Sequence, residues 1–367
     1  MKKILYGVCG IGNGHIYRQL PTLNHLALSH RIMIFAYGDS LTLFSTHFAG
    51  HANVKVVEVA VPYYVGNRTG IDFQASAKLI EESGIDYAAM NSHAMHEAWQ
   101  YVGQADLAIS DYEPVTAQYA YAYGVPLVTI DQQSKYLSGA FPAELHGSTY
   151  VDEVVRLRMF FPTAAARIAC SFFNVPQLPD HETVHLYPPV IRSDFKLHRT
   201  RKHNELLVYL TAQPGSKQSP AALMAVLGRQ RDTVFHVFLS KTARLQTEVP
   251  KNVRLYQHGG KEFKLLLETC AGVIATAGHS LLSEAMYLGV PVLALPLPLY
   301  EQQMNAEIIQ QGQFGLSADL LTPDVLQEFI TNLARYAHNI KTDTTLLLRG
   351  DGQQDILAFI QDRFLEK

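Results

Sequence analysis

The chain of 367 residues has only one tryptophan and three cysteines. Cys9, Cys170 and Cys270 are far apart and odd in number. They form neither a disulfide framework nor a zinc pattern, and a reducing cytoplasm is the expected setting. No apolar run reaches the roughly 18 residues a membrane-spanning helix needs, so none is expected. The opening MKKILYGVCGIG has too short an apolar run for a signal peptide, and Gly10, Gly12 and Asn13 break it; it reads as a first β-strand. Neither sign of charge dominates. The 30 Lys and Arg face 33 Asp and Glu, for a net charge of -3, which excludes the field a nucleic-acid binder needs. Walker A and Gly-x-Ser-x-Gly sequences are missing, and the histidines show no metal-ligand spacing, so neither a metal nor another cofactor is expected.

What is present is apolar and periodic. An apolar fraction of 48% against 17% charged residues suits sizeable cores, and the length suits two domains of about 180 residues each. Compact apolar strands at Ile4–Cys9, Arg31–Tyr37, Val54–Val59, Leu107–Ser110 and Val125–Ile130 alternate with helical stretches. One of these helices is placed over Tyr17–Leu28. The alternation predicts an α/β fold with parallel sheets covered on both faces. Pro176, Pro179, Pro188 and Pro189, with the charge-rich Arg192–Asn204, mark a linker. A second α/β unit starts at Leu206–Leu210. Residues 151–175 mix Arg156, Arg158 and Arg167 with Met159, Phe160 and Phe161. They read either as a helix packed in the domain interface or as a peripheral membrane contact, with Pro162 interrupting a long amphipathic face.

Four stretches carry chemistry. In Thr276–Glu284, a glycine turn joins an apolar strand to a helix. Gly278 allows close backbone approach, and free N–H groups around His279 and Ser280 favour an anion such as a diphosphate. Ser280 is the expected N-cap, leaving Glu284 free to reach a ligand hydroxyl. In Gly10–His15, the glycines run G-x-G-x-G rather than G-x-G-x-x-G, while Asp39 keeps a dinucleotide reading open. His15 and Asp111 both follow strands of one sheet, so a carboxylate-held histidine base and a helix-start histidine without chemistry are both open. Glu301 and Gln302, ahead of a helix starting at Asn305, suit sugar hydroxyls or simple solvent exposure. Tyr256 and His258 with Gly259 and Gly260 offer a weaker base-binding surface, and Gly14 and the turn from Thr211 to Ser216 weaker phosphate contacts.

Together these residues resemble a nucleotide-sugar glycosyltransferase of the two-Rossmann, GT-B type, over most of the chain. Gly12-Asn13-Gly14-His15 with Arg18 is similar to the opening glycine–histidine loop of that superfamily, particularly a bacterial and archaeal subgroup. Asp106–Asp111 resembles the strand that brings the acidic partner of the base. The strongest likeness is Ala277-Gly278-His279-Ser280 with Ser283-Glu284-Ala285, then Glu301-Gln302. It is similar to the donor motif shared by UDP-glycosyltransferases and the GlcNAc-transferase of peptidoglycan synthesis. The resemblance implies two Rossmann-like domains facing across a cleft, with residues 1–195 binding acceptor and 196–350 binding donor. A final helix in 351–367 crosses back to the first domain. It also implies His15 as base helped by Asp111, Gly278, His279 and Ser280 on the diphosphate, Glu284 on the ribose, and Glu301 and Gln302 on the transferred sugar. Inverting, metal-independent transfer from a nucleotide-sugar donor, with a UDP-sugar the one expected, to an unidentified acceptor (glycan, lipid-linked or small molecule) is the activity implied. Glu301 stands where many relatives carry Asp or Gln, and no tryptophan lies near Tyr256–His258. A UDP-sugar epimerase of the same fold, a non-catalytic nucleotide-sugar-binding protein and a dehydrogenase are the alternatives.

Overall fold

The computed structural model describes residues 1–67, 70–141, 149–192, 194–197, 199–210, 218–239, 248–258 and 261–366. Thr211 and the turn after it, together with Gly259 and Gly260, lie outside the described residues. The chain forms two compact units. One comprises residues 1–171, 175–192 and 350–367, the other 172–174 and 193–349.

The first unit is built on a parallel sheet of seven strands. Their order is Val54–Glu58, Arg31–Ala36, Lys3–Val8, Leu107–Asp111, Leu127–Asp131, Ala166–Cys170 and His185–Tyr187. The apolar runs are continuous because both faces are covered. Along Lys3–Val8, Ile4, Tyr6 and Val8 enter one core with the helix Asn13–Ala27 and with Ile356, Leu357 and Ile360 of the helix Gln353–Ile360. Leu5 enters the opposite core with the helices Tyr87–Val102, Pro114–Tyr123 and Tyr150–Phe160. Burying side chains such as Ile356 and Ile360 stabilises the fold by roughly 2 kcal/mol each, which is what holds this last helix on the first unit.

The stretch 151–175 is not one helix. The helix Tyr150–Phe160 stops before Pro162, and Ala166–Cys170 is a strand. Leu157, Phe160 and Phe161 are buried in the first unit. Arg167 is buried as well and pairs with Glu182 at 2.6 Å. Met159 is half-buried.

In the second unit six parallel strands run in the order Val253–Gln257, Val234–Leu239, Lys202–Tyr209, Cys270–Ala275, Val292–Ala294 and Gly315–Ser317. In both units the first strand of the sheet in chain order lies beside the fourth, and the winding reverses between them. Open α/β sheets bind ligands beyond the carboxyl ends of the strands at such a reversal. In the first unit these ends are Val8 and Asp111, which are in register; in the second they are Tyr209 and Ala275. Among the described residues, no helix is long and apolar enough to cross a membrane.

Candidate functional site

At the reversal in the first sheet, the chain leaves Val8, passes Gly10 and turns at Gly12, whose φ of 77° a side chain would resist. The helix starts at Asn13, four residues earlier than the sequence pattern suggests. The pattern marks where apolar periodicity begins, whereas the exposed first turn carries Asn13 and Gly14 without it. Gly14 lies in that turn, and His15 is the third helical residue. Its Nδ1 lies 2.9 Å from Asp111 Oδ1.

Asp111 is fully buried and accepts from several donors. Arg18 Nη2 reaches both carboxylate oxygens at 2.8 Å, and Arg18 Nε reaches Oδ2 at 3.2 Å. Gln19 Nε2 donates to Oδ2 at 2.8 Å and to the Ile130 carbonyl at 2.9 Å. Gln19 is fixed in turn by the Tyr6 hydroxyl at 2.5 Å. Burial works against the Asp111 charge, but Arg18 and His15 outweigh it and hold the carboxyl below its ordinary range. Asp111 therefore orients His15 while Arg18 takes up most of its charge.

Two further groups act on the His15 charge. Arg18 Nη2 is also 2.9 Å from Nδ1. A protonated Nδ1 donates to Asp111, and a bare one accepts from Arg18. The Cys9 thiol also interacts with the ring, and its Sγ lies 3.2 Å from the Tyr37 hydroxyl. Burial disfavours an imidazolium here, but the Cys9 and Asp111 charges outweigh burial and raise His15 to about 10. In the same exchange Cys9 is lowered, because the imidazolium opposes the effect of burial. Cys9, Gln19 and Tyr37 escape a sequence reading because they have no motif of their own; Cys9 and Tyr37 follow the ends of two paired strands, and Gln19 lies one helical turn after His15.

At the reversal in the second sheet, the strand Cys270–Ala275 leads through Thr276 and Ala277 to the helix His279–Leu288. The N-cap is Gly278, not Ser280, so Ser280 sits within the first turn. Gly278 has an ordinary extended φ of -70°, and a Cβ there would meet nothing within 4 Å. The fold itself thus makes no demand for glycine at this position. The His279 amide donates to Glu301 Oε1 at 3.2 Å, so a carboxylate already caps this helix, as the dipole favours. His279 is buried against Phe172, and its carbonyl accepts from the Ser283 hydroxyl at 2.8 Å. Glu284 lies half-buried one turn further on.

The helix carrying Glu301 and Gln302 runs Tyr300–Gln311, so it starts ahead of both residues rather than at Asn305. Asn305 is buried, and its amide donates to the Ala277 carbonyl at 2.9 Å, fixing the glycine turn. Gln302 accepts from the Leu297 amide at 2.9 Å. Glu301 and the Gly278–His279 turn are thereby brought together; Gln302 braces the loop before it.

The remaining aromatic positions cluster at the strand ends of the second unit. His258 stacks on Tyr209 at 4.3 Å with the rings 13° apart, and Tyr256 stacks on Phe238 at 4.9 Å. The Tyr256 hydroxyl is 3.0 Å from His236 Nδ1. Folding also assembles a Glu205, His236 and Cys270 group that sequence spacing does not reveal. His236 Nε2 is 2.9 Å from Glu205, and Lys202 Nζ is 3.1 Å from both Glu205 oxygens, so protein groups already serve these side chains.

A model of glycosyl transferase family 1 matches residues 2–334 of the chain. A Methanosarcina mazei protein described as an uncharacterized glycosyltransferase is 30% identical over 119 residues, and the match spans 31% of each chain. A UDP-glucosyltransferase from Polygonum tinctorium has a similar structure, with a TM-score of 0.70 at 13% identity, over 100% of this chain and 99% of that one. The glycosyltransferase VinC, solved with dTDP, superposes with a TM-score of 0.59 at 18% identity, over 98% of this chain and 100% of that one. At these identities the likeness concerns the fold, which is the two-Rossmann GT-B arrangement of parallel sheets.

Proposed function

The chain belongs to glycosyl transferase family 1, and from that premise we propose that it moves a sugar from a nucleoside diphosphate sugar to an acceptor hydroxyl. The observation that carries this reading is His15 Nδ1 held 2.9 Å from the buried Asp111 carboxylate at the winding reversal of the first sheet. With Nδ1–H donating to Asp111, Nε2 is the basic nitrogen. It takes the proton of the acceptor hydroxyl as that oxygen attacks the anomeric carbon. The bond from that carbon to the diphosphate oxygen breaks in the same displacement, with inversion.

The second unit binds the donor and the first binds the acceptor. The leaving diphosphate lies at the start of the helix His279–Leu288, where Gly278 admits its oxygens and the His279 and Ser280 amides face the developing charge. No step in this assignment needs a metal ion. Glu284 takes the ribose hydroxyls, and Glu301 with Gln302 contacts the sugar. Glu301 already engages the His279 amide, so donor binding moves its carboxylate from that amide to a sugar hydroxyl. A uridine or thymidine diphosphate is the leaving group we assign, as the solved relatives include a UDP-glucosyltransferase and a protein bound to dTDP.

The test starts with thermal shift across UDP- and dTDP-sugars, followed by acceptor trials with the best donor. His15→Ala should abolish transfer and leave UDP affinity nearly unchanged; a fully active variant rules out the base. Glu284→Ala should weaken donor binding, and unchanged affinity rules out the ribose role. Turnover of the nucleotide sugar without acceptor, giving an epimer, would replace transfer by epimerisation.

A further inference from the structure

The residue after Asp111 is held in a conformation its side chain disfavours. Tyr112 has φ 56°, in the left-handed region, where a bulky residue is an outlier and glycine or asparagine is at ease. The turn from the strand Leu107–Asp111 into the helix Pro114–Tyr123 requires that backbone, but nothing in it requires an aromatic ring. Such strain persists where surrounding groups over-determine it, and it concentrates at functional sites.

The ring is over-determined in three ways. Phe160 packs edge-on at 5.8 Å, and Phe161 lies at 6.4 Å. The Tyr112 hydroxyl donates to Glu153 Oε1 at 2.8 Å. The helix bearing Glu153 is itself tied down by Arg156, which pairs with Asp152 at 2.8 Å and donates to the Tyr64 carbonyl at 3.1 Å. The ring so clamped lies in an offset stack with the His15 imidazole, with centroids 6.3 Å apart and planes 27° from parallel.

We propose that Tyr112 is a positioning residue: its clamped ring backs the His15 imidazole and fixes the direction in which Nε2 points. The proposal rests on the reading of His15 as the base. Asp111 and Arg18 tether the imidazole at Nδ1, and the Cys9 thiol also bonds to it, but contacts at the ring edge leave the tilt of its plane free. The Tyr112 ring, an offset and near-parallel wall beside the imidazole, limits that freedom. Misplacing a reacting group by about 1 Å costs on the order of a hundredfold in rate, so the wall matters even though it touches no substrate.

The test uses the full-length protein, nitrogen-15 labelled at histidine, with His15→Ala identifying the His15 signal. Tyr112→Phe keeps the ring and loses only the hydroxyl; its His15 titration and tautomer should superpose on those of the wild type. Tyr112→Gly removes the ring while suiting the backbone, and Tyr112→Leu keeps bulk without a flat face. Both should give a His15 signal with mixed tautomers and a displaced titration, at unchanged circular dichroism. Where a UDP-sugar is turned over, both should lower kcat by roughly ten- to a hundredfold with donor KM unchanged, and Tyr112→Phe should stay within about twofold. Wild-type titrations in both the Gly and Leu variants would overturn the positioning role. An active His15→Ala would instead overturn the base, and the titrations would still decide whether Tyr112 orients the ring.

Discussion

Arg18 Nη2 lies 2.8 Å from both carboxylate oxygens of Asp111 and 2.9 Å from Nδ1 of His15. One guanidinium thus serves both the carboxylate and the histidine it orients. Asp111 keeps its charge in a fully buried place because a cation shares it, so its part is to hold His15 rather than to accept a proton.

Removing the cation should expose that dependence. Arg18→Leu leaves a buried carboxylate without its main partner and should cost about 3–5 kcal/mol in denaturant unfolding. Combining it with Asp111→Leu should recover much of the loss, because the double variant no longer buries an unpaired charge. Equal and additive losses would mean the pair is not coupled.

The pH dependence of transfer follows from Cys9. A base works when deprotonated, and the charges facing His15 raise it to about 10. The acidic limb of the rate profile should therefore lie above ordinary imidazole values. Cys9→Ala removes the first of the raising charges, so the limb should move to lower pH. Activity at pH 7 should rise by roughly tenfold for each unit it moves. Profiles of kcat for both proteins, between pH 5 and 10, provide the check; a limb that stays put means Cys9 does not set the basicity of His15.

Gly278→Ala separates folding from binding. Its φ of -70° suits alanine and its Cβ position is clear of neighbours, so the melting temperature should shift little. UDP affinity should nevertheless fall about tenfold or more if a diphosphate packs against the main chain there, since a methyl group would hold it off. Titration calorimetry with UDP measures this directly; wild-type affinity would place the diphosphate elsewhere.

Glu301→Gln should act with the opposite sign on nucleotide and sugar. The carboxylate caps the His279 amide and repels an incoming diphosphate. Neutralising it should tighten binding of bare UDP by about two- to fivefold, the size of a helix-terminus charge effect. The intact UDP-sugar should gain less, because a ligand to its hydroxyls is weakened. Weaker UDP binding in the variant would contradict the repulsion.

Much of the candidate site was legible before folding was considered. Gly278, His279 and Glu284 lie on one continuous segment whose strand, turn and helix follow from local composition. His15 and Asp111 were legible as a pair only as two strand ends of one sheet, and the register of Val8 with Asp111 makes them neighbours. Cap positions were less legible. Gly278 rather than Ser280 starts its helix, and Tyr300 rather than Asn305 starts the next. Backbone dihedrals and loop contacts such as that of Gln302 with Leu297 set those boundaries, and apolar periodicity is blind to them.

The order of residues dictated the alternation of strand and helix, the covered sheets and the glycine turns, because those depend on periodicity and on neighbours in the chain. Folding decided which charges meet. Arg18, 93 positions from Asp111 in the chain, neutralises it, the Cys9 charge raises the basicity of His15, and Tyr112 lies near-parallel to the ring from a left-handed backbone position. Electrostatics and packing act through distance in space, and only strand register and helix docking bring these side chains within reach of one another.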